Sequence, residues 1–548
     1  MIRSTLLFTA ALTVLPLASA SAQKAGEVTV VLGEDLDLVE PCMATRSNIG
    51  RVILQNVNET LTQYDVKGGK GVLPRLAESW TDQGNGTWRF SLRKGVKFSN
   101  GTAFDANDVK HSFERMMSDK ITCESSRYFG DTKLSLNVVD DNTIDVTANP
   151  PQPILPLLMS IVTIVPAETP LAFVRDPIGT GPYKLTQWNQ GQNITLEARS
   201  DYWGQAPAVK KATYVFRSDP AVAAAMVTKG EADLAPSISA ADATDAKSDI
   251  SYLNSETLYL RIDSAVAPIT DIRVREALNL AIDRSAFIGS LLPKGTVEAA
   301  AIVPPTTLGW NPNVKPFPFD PAKAKKLLAA AKADGVPVDT KLYLIGRSNL
   351  FPGVVEVVEA MQQMLQDVGF NVEVQMLEVA QIEQLYSKPF KEGRPPQMLV
   401  VQHDNSRGDP VFSMYFKYDS KGRQSGISDP KADELIAKAT AATGPERAKL
   451  WSDLIAYVHD DVVADVLLFH MVNFARVGKR IAFTPTIATN SQLELADIPF
   501  MCGNRGRRYR LPRSPPDIAY GGGKPCPNTL RASYRASSRS RSCSSWSS

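Results

Sequence analysis

The chain has 548 residues, 43% of them hydrophobic and 22% charged, with a formal net charge of +2. These values exclude a fibrous or wholly disordered chain and are those of an ordinary globular protein. The charge is uneven: removing Arg3 and the nine excess positive charges of residues 501–548 leaves −8 for residues 23–500, so nucleic acid is not an expected partner.

The first 22 residues read as a secretory signal. Arg3 precedes an apolar run over residues 6–17, shorter than the ~20 residues of a bilayer span. Ala18-Ser19-Ala20 and Ala20-Ser21-Ala22 are small-residue cleavage sites, and cutting after Ala22 leaves Gln23 first. No cysteine stands there, so no lipid anchor is expected, and the expected destination is the periplasm of a Gram-negative cell. No later run reaches 18 uninterrupted apolar residues, so the mature chain is expected to be soluble, as a monomer. Residues 23–500 exceed what one core holds, and two or three domains are expected.

Residues 28–32 form a short apolar strand. Ile49, Val52, Ile53, Val57 and Leu61 share one side of a helix over 49–61. Asn85-Gly86 is a turn before the alternating strand 88–92. Asp105, three residues before Asp108, caps a helix that runs on through Arg115. A strand over 143–146 and a proline-rich connector over 150–156 follow. Gly179-Thr180-Gly181-Pro182-Tyr183 is a dense turn signal, and a strand over 183–188 comes out of it. Strands over 193–197 and 212–216 lead to a helix over Pro220–Lys229 closed by Gly230. A strand begins at 231–234. Helices over 271–288, 321–332 (capped by Asp320) and 354–368 (ended by Gly369) alternate with a strand over 371–374, an α/β rhythm. Helices over 431–442 and 446–458 precede closing strands over 469–474 and 481–484.

From about Met501 the composition changes abruptly. Ten Lys+Arg, ten serines and three of the five cysteines (Cys502, Cys526, Cys543) crowd into 48 residues without hydrophobic periodicity. Such a segment cannot bury enough apolar surface to offset its chain entropy and is expected to be disordered. A reading frame shifted past the natural stop accounts for the change. Within residues 23–500 only Cys42 and Cys123 remain. An oxidising compartment permits a bridge between them, with two free thiols as the alternative. A bridge would close a loop of about 80 residues, worth on the order of 4.5 kcal/mol in the chain-entropy account.

Several segments in order resemble the peptide-binding receptors of ABC importers, the dipeptide- and oligopeptide-binding proteins of the bacterial extracellular solute-binding family 5. They are Leu73-Pro74-Arg75-Leu76-Ala77-Glu78-Ser79-Trp80, then Leu92-Arg93-Lys94-Gly95-Val96-Lys97-Phe98 with Asn100-Gly101, and the Gly-Thr-Gly-Pro-Tyr turn with Asp201-Tyr202-Trp203-Gly204. Gly230-Glu231-Ala232-Asp233, Arg273-Val274-Arg275-Glu276-Ala277-Leu278 with Ala281-Ile282-Asp283-Arg284, and Asp320-Pro321-Ala322-Lys323-Ala324 continue the series. The resemblance covers nearly all of residues 28–497. It implies an α/β, two-lobed periplasmic-binding-protein fold (type II, cluster C-like) with an extra domain inserted in lobe one. Lobe one would be 23–58, 175–264 and 481–500, the insert 59–174 and lobe two 265–480. Most of these motifs are expected to be scaffold, with Arg273 and Asp283 paired.

A free peptide carries an ammonium and a carboxylate, and a receptor that buries it must pair both. The resemblance implies Arg347 as the carboxylate partner and Asp404 as the ammonium partner. Around Asp404 the chain reads Gln402-His403-Asp404-Asn405-Ser406-Arg407-Gly408-Asp409-Pro410, where His403 replaces the family's glycine, Asn405 matches, and Ser406 and Arg407 are extra. Arg407 is a second positive charge available to the cleft. The other wall is expected from the loop after the first strand, Met43, Ala44, Thr45 and Arg46, where Arg46 suits an acidic or phosphorylated ligand or, alternatively, a surface salt bridge.

The implied function is capture of a small peptide or peptide-like solute and its delivery to the transmembrane subunits of an ABC permease, with no cofactor. The alternative is a non-peptide solute on the same fold: a metal chelate such as nickel, an opine or an oligosaccharide. His403 and His470 are the imidazoles available to a metal chelate, but no metal-ligand spacing fixes them and no metal site is assigned. None of the four histidines lies in a His-x-x-x-His or Gly-x-Ser-x-Gly setting and no Gly-rich phosphate loop is present, so an enzyme is not expected.

Overall fold

The computed structural model describes residues 25–66, 71–130, 132–348, 350–351, 353–406 and 408–501; the expected signal, Arg407 and all of the expected tail after Met501 lie outside them. Its two longest strands, Asp249–Ile262 and Asp465–Val477, pair antiparallel and run through both halves of one 11-stranded sheet. On one side the sheet continues through Leu234–Ile238, Glu27–Leu32, Lys211–Phe216, Asn193–Ala198 and Tyr183–Asn189. On the other it continues through Gln397–Asp404, Leu342–Arg347 and Val372–Leu377. The result is two α/β lobes sharing a pair of crossing strands. A separate four-stranded sheet, Ala77–Gly84, Thr87–Leu92, Thr143–Asn149 and Lys133–Asp140, carries the helix Ala106–Met116.

Local chemistry accounts for many boundaries. Asn85 and Gly86 both have positive φ (52° and 77°), the two-residue hairpin turn that asparagine and glycine favour. Asp105 accepts from the Asn107 amide and Asp108 reaches back to the Asp105 amide, a reciprocal cap. Asp219, Pro220 and a left-handed Gly230 bound the helix Pro220–Lys229 on its expected residues.

The motif residues form the joints between these parts. A Cβ on Gly179 would lie 2.0 Å from the Val57 carbonyl oxygen, and one on Gly181 would lie 2.4 Å from that of Asn56. The glycines are required by close backbone approach. Arg199 then donates to the carbonyls of Gly179, Gly181, Lys97 and Phe98. Glu59, fully buried, receives Arg75 Nε at 2.8 Å, Tyr202 OH at 2.9 Å and Trp203 Nε1 at 2.8 Å. Two of the sequence motifs thus converge on one carboxylate. Cys42 and Cys123 are joined in a disulfide, beside the buried ion pair of Glu40 with Arg115.

Four expectations differ. The helix over 49–61 is only Ser47–Ile53. Beyond it Gln55 has φ 62°, and Asn56 and Asn58 donate to Leu493, Ile164 and Ile178 carbonyls, partners a helix would not reach. The helix over 271–288 stops at Leu280, and Asp283 caps a separate 3-10 turn, Arg284–Phe287. Asp283 therefore does not pair with Arg273, whose guanidinium holds Asp271 at 2.7 Å and Asp334 at 2.5 Å. The strand over 481–484 is a single bridge between Ile481 and Phe500.

Candidate functional site

The strands Leu342–Arg347 and Gln397–Asp404 are parallel neighbours, so Arg347 and Asp404 stand at their carboxyl ends. Open α/β sheets bind ligands outside such ends. Glu34, just past the end of Glu27–Leu32 in the first lobe, meets Arg347 across the seam, with Nη2 3.0 Å from Oε1. The Arg347 Nε is buried without a hydrogen-bond partner among the described residues.

The crossing strand Asp249–Ile262 loses its register with its partner between Leu253 and Thr257, so Asn254, Ser255 and Glu256 bulge. Bulges re-aim side chains and gather at functional sites. The bulge is stitched to the second lobe: the Asn405 amide donates to Ser255 O at 2.9 Å, and Glu256 sits in register with Asp404. Glu256 accepts Asn490 Nδ2 at 2.8 Å, and Asn490 Oδ1 accepts Arg51 Nη1 at 3.5 Å. Burial, and then the charge of Asp404, pushes the Glu256 carboxyl up to about 8, against Arg347, the Asn490 hydrogen bond and Arg51. Asp404 accepts the Ser406 amide and hydroxyl at 2.9 and 3.0 Å, and Ser406 meets Ser491 of the opposite wall, Oγ to Oγ 3.1 Å. Arg347, Asp404, Glu256, Arg51 and Glu34 thus form one charged seam between the lobes.

The other expected residues are placed differently. His403, one residue from Asp404 and on the opposite face of the strand, is buried, with Nε2 2.7 Å from Ser413 Oγ. Burial holds its imidazole well below the usual range. Asn405 is also buried and donates to the Ser255, Ile302 and His403 carbonyls. Both side chains brace the wall from within lobe two. Met43 and Ala44 lie in the hydrophobic core. Thr45 is buried, its Oγ1 unpartnered among the described residues. Arg46 grips Asp37 with both Nη atoms at 3.1 Å, the surface salt bridge that was the alternative. His470 is buried as well, with Nδ1 2.9 Å from Thr257 Oγ1 and Nε2 without a hydrogen-bond partner among the described residues. Among the described residues no group of three His, Cys, Asp or Glu is arranged to hold a metal.

Glu34, Glu256, Arg51 and Asn490 escaped the sequence reading. The one local signal was Asn254-Ser255-Glu256, a polar triplet interrupting an apolar run. A cavity of about 260 Å³ also opens in lobe two beside Tyr343, Phe390 and Arg394. Arg394 is already paired with Asp263 at 2.6 Å, and the charged seam does not line this cavity.

The profile of the bacterial extracellular solute-binding proteins, family 5 (middle region), matches residues 71–425. A curated dipeptide-binding protein of Escherichia coli K12 is 29% identical over 454 residues, 76% of this chain and 84% of its own length. The nickel-binding periplasmic protein of the same organism is 28% identical over 442 residues, 74% of this chain and 82% of its own. The periplasmic binding protein DppA of Helicobacter pylori, solved with the peptide STSA, superposes with a TM-score of 0.75 at 22% identity, covering 86% of this chain and 97% of that one. The chain belongs to the family 5 solute-binding proteins, a family of transport receptors, and has their two-lobed fold. Among the described residues no helix is long and apolar enough to cross a membrane.

Proposed function

We propose that this family 5 solute-binding protein captures a small peptide or peptide-like zwitterion between its lobes and delivers it to the permease of an ABC importer. The observation that carries the reading is Arg347 and Asp404 at the carboxyl ends of neighbouring parallel strands. An arginine and an aspartate so placed complement the two termini of a short peptide. The guanidinium offers a bidentate grip worth roughly 1.5–3 kcal/mol. Glu34 meets Arg347 where a solute carboxylate would compete for it. On this reading lobe one is 23–58, 175–264 and 481–500, lobe two is 265–480, and 59–174 is the insert. The role is binding without turnover, by a monomer in the periplasm after removal of residues 1–22. The relative that binds dipeptides supports the peptide reading. The engagement of His403 with Ser413 in the interior supports it over metal capture.

A thermal-shift panel of di- and tripeptides, opines and nickel chelates tests this. A peptide at 100 times its dissociation constant should stabilise the fold by about 2.7 kcal/mol. Stabilisation by a nickel chelate and by no peptide would overturn the reading.

A further inference from the structure

The buried arginines of this chain are not equally satisfied. Arg115, Arg284, Arg447 and Arg476 each donate at least four hydrogen bonds to carboxylates, hydroxyls, side-chain amides or carbonyls. Arg261 keeps two, to the Gln424 and Ser425 carbonyls, with Asp263 4.0 Å from its Nη1, and Arg51, only 7% exposed, has fewer still. Its guanidinium donates one long bond, Nη1 to Asn490 Oδ1 at 3.5 Å, and its Nε has no partner among the described residues. No carboxylate of the described residues lies within ion-pair distance, because Asn490 stands between Arg51 and Glu256. Burying a cation this way is unfavourable unless an anion arrives. Two hydroxyls, one beside the helix of Arg51 and one beside Glu256, are in the same condition. Thr45 Oγ1, just before the helix that carries Arg51, and Ser255 Oγ, beside Glu256, are buried without partners among the described residues. Both are groups that donate to an oxyanion. Asn490 links Arg51 to Glu256, which stands in register with Asp404, and the next residue, Ser491, meets Ser406, so Arg51 lies at the seam and not on a remote face.

We propose that Arg51 is a second anion anchor of the cleft, which selects solutes carrying a carboxylate in addition to the one Arg347 holds. The inference rests on the peptide-like reading above and narrows it to acidic peptides. Arg51 takes the acidic side chain in the planar, bidentate manner of guanidinium and carboxylate. Asp404 is left for the ammonium.

Calorimetric titration of Ala-Glu, Ala-Gln and glutarate alone into wild type, Arg51→Met and Arg51→Lys decides the matter. Wild type should bind Ala-Glu at least tenfold more tightly than Ala-Gln. Arg51→Met, which removes a buried cation and keeps its length, should fold and bring that ratio close to one. Arg51→Lys, which keeps the charge and loses the fork, should fall between. An unchanged ratio in Arg51→Met, or no preference in wild type, overturns the proposal, even if glutarate binds as a free anion. If wild type takes neither dipeptide, the peptide reading is what fails, and glutarate decides for Arg51. Binding to wild type that is lost in Arg51→Met sustains the anchor, and equal or absent binding refutes it.

Discussion

Two groups of buried charge in this protein are wired in opposite ways. Around Glu59 each carboxylate oxygen has its donor, from Arg75, Tyr202 and Trp203, and Arg93 stacks over the Trp203 ring at 4.3 Å. In the seam, Arg51 has one long bond, Arg347 Nε has none, and Glu256 faces Asp404. A buried network with its bonds complete is scaffold. One left incomplete costs free energy that an incoming solute can offset, which is what the proposed site requires. Arg75, Arg93, Tyr202 and Trp203 of the family-like segments lie in the first group, and the residues proposed to meet the solute lie in the second.

The comparison breaks most readily at Glu59. Replacing it by alanine strands the Trp203 N–H in the interior and takes the nearer carboxylate from Arg75, which keeps Gln63 Oε1 at 3.2 Å and Glu494 Oε2 at 3.9 Å. Glu59→Ala should lower the unfolding free energy by about 3–5 kcal/mol in a denaturant titration, while the folded protein keeps its affinity for solute. A loss under about 1 kcal/mol would mean the node is not structural.

Glu256 sharpens the comparison through pH. Its folded value is raised to about 8 by burial and then by Asp404, against an unfolded value of about 4.3. Between about pH 5 and 7 the folded chain holds a proton that the unfolded chain has released. The stability this group contributes is therefore complete below about pH 4 and is lost as pH rises toward 8, by about 1.4 kcal/mol per pH unit in that window. Glu256→Gln should remove this slope from a series of denaturation curves. Parallel wild-type and variant profiles would place Glu256 in ordinary solvent.

Arg347 should show the smallest effect on stability and a clear one on binding. Its pair with Glu34 is partly solvated, 26% and 40% exposed, and such pairs contribute little to stability. Arg347→Ala should leave the unfolding free energy within about 0.5 kcal/mol and weaken a dipeptide about tenfold. Unchanged affinity removes Arg347 from the site.

Legibility in the sequence followed the range of the interactions. The helix Pro220–Lys229 was readable because Asp219, Pro220 and Gly230 set its ends within its own residues. The helix at Ser47–Ile53 was drawn too long because its apolar period continues while the backbone turns toward partners more than a hundred residues away. The crossing strand Asp249–Ile262 went unread because its bulge inserts Asn254-Ser255-Glu256 into the alternation. Arg347 and Asp404 were reachable only through resemblance, since neither has a local pattern. Glu34 is 313 residues from Arg347, and Arg51 and Glu256 are joined only through Asn490. No periodicity reports such a meeting.

The central claim is that the seam recognises its solute by supplying the counter-charges for both ends of a zwitterion. Calorimetric titration of one bound dipeptide against its N-acetylated, C-amidated analogue tests it directly. The account predicts that removing both terminal charges weakens binding at least a hundredfold, from two charge-assisted contacts each worth a factor of about ten or more. Equal affinity for the charged and the blocked peptide would contradict it.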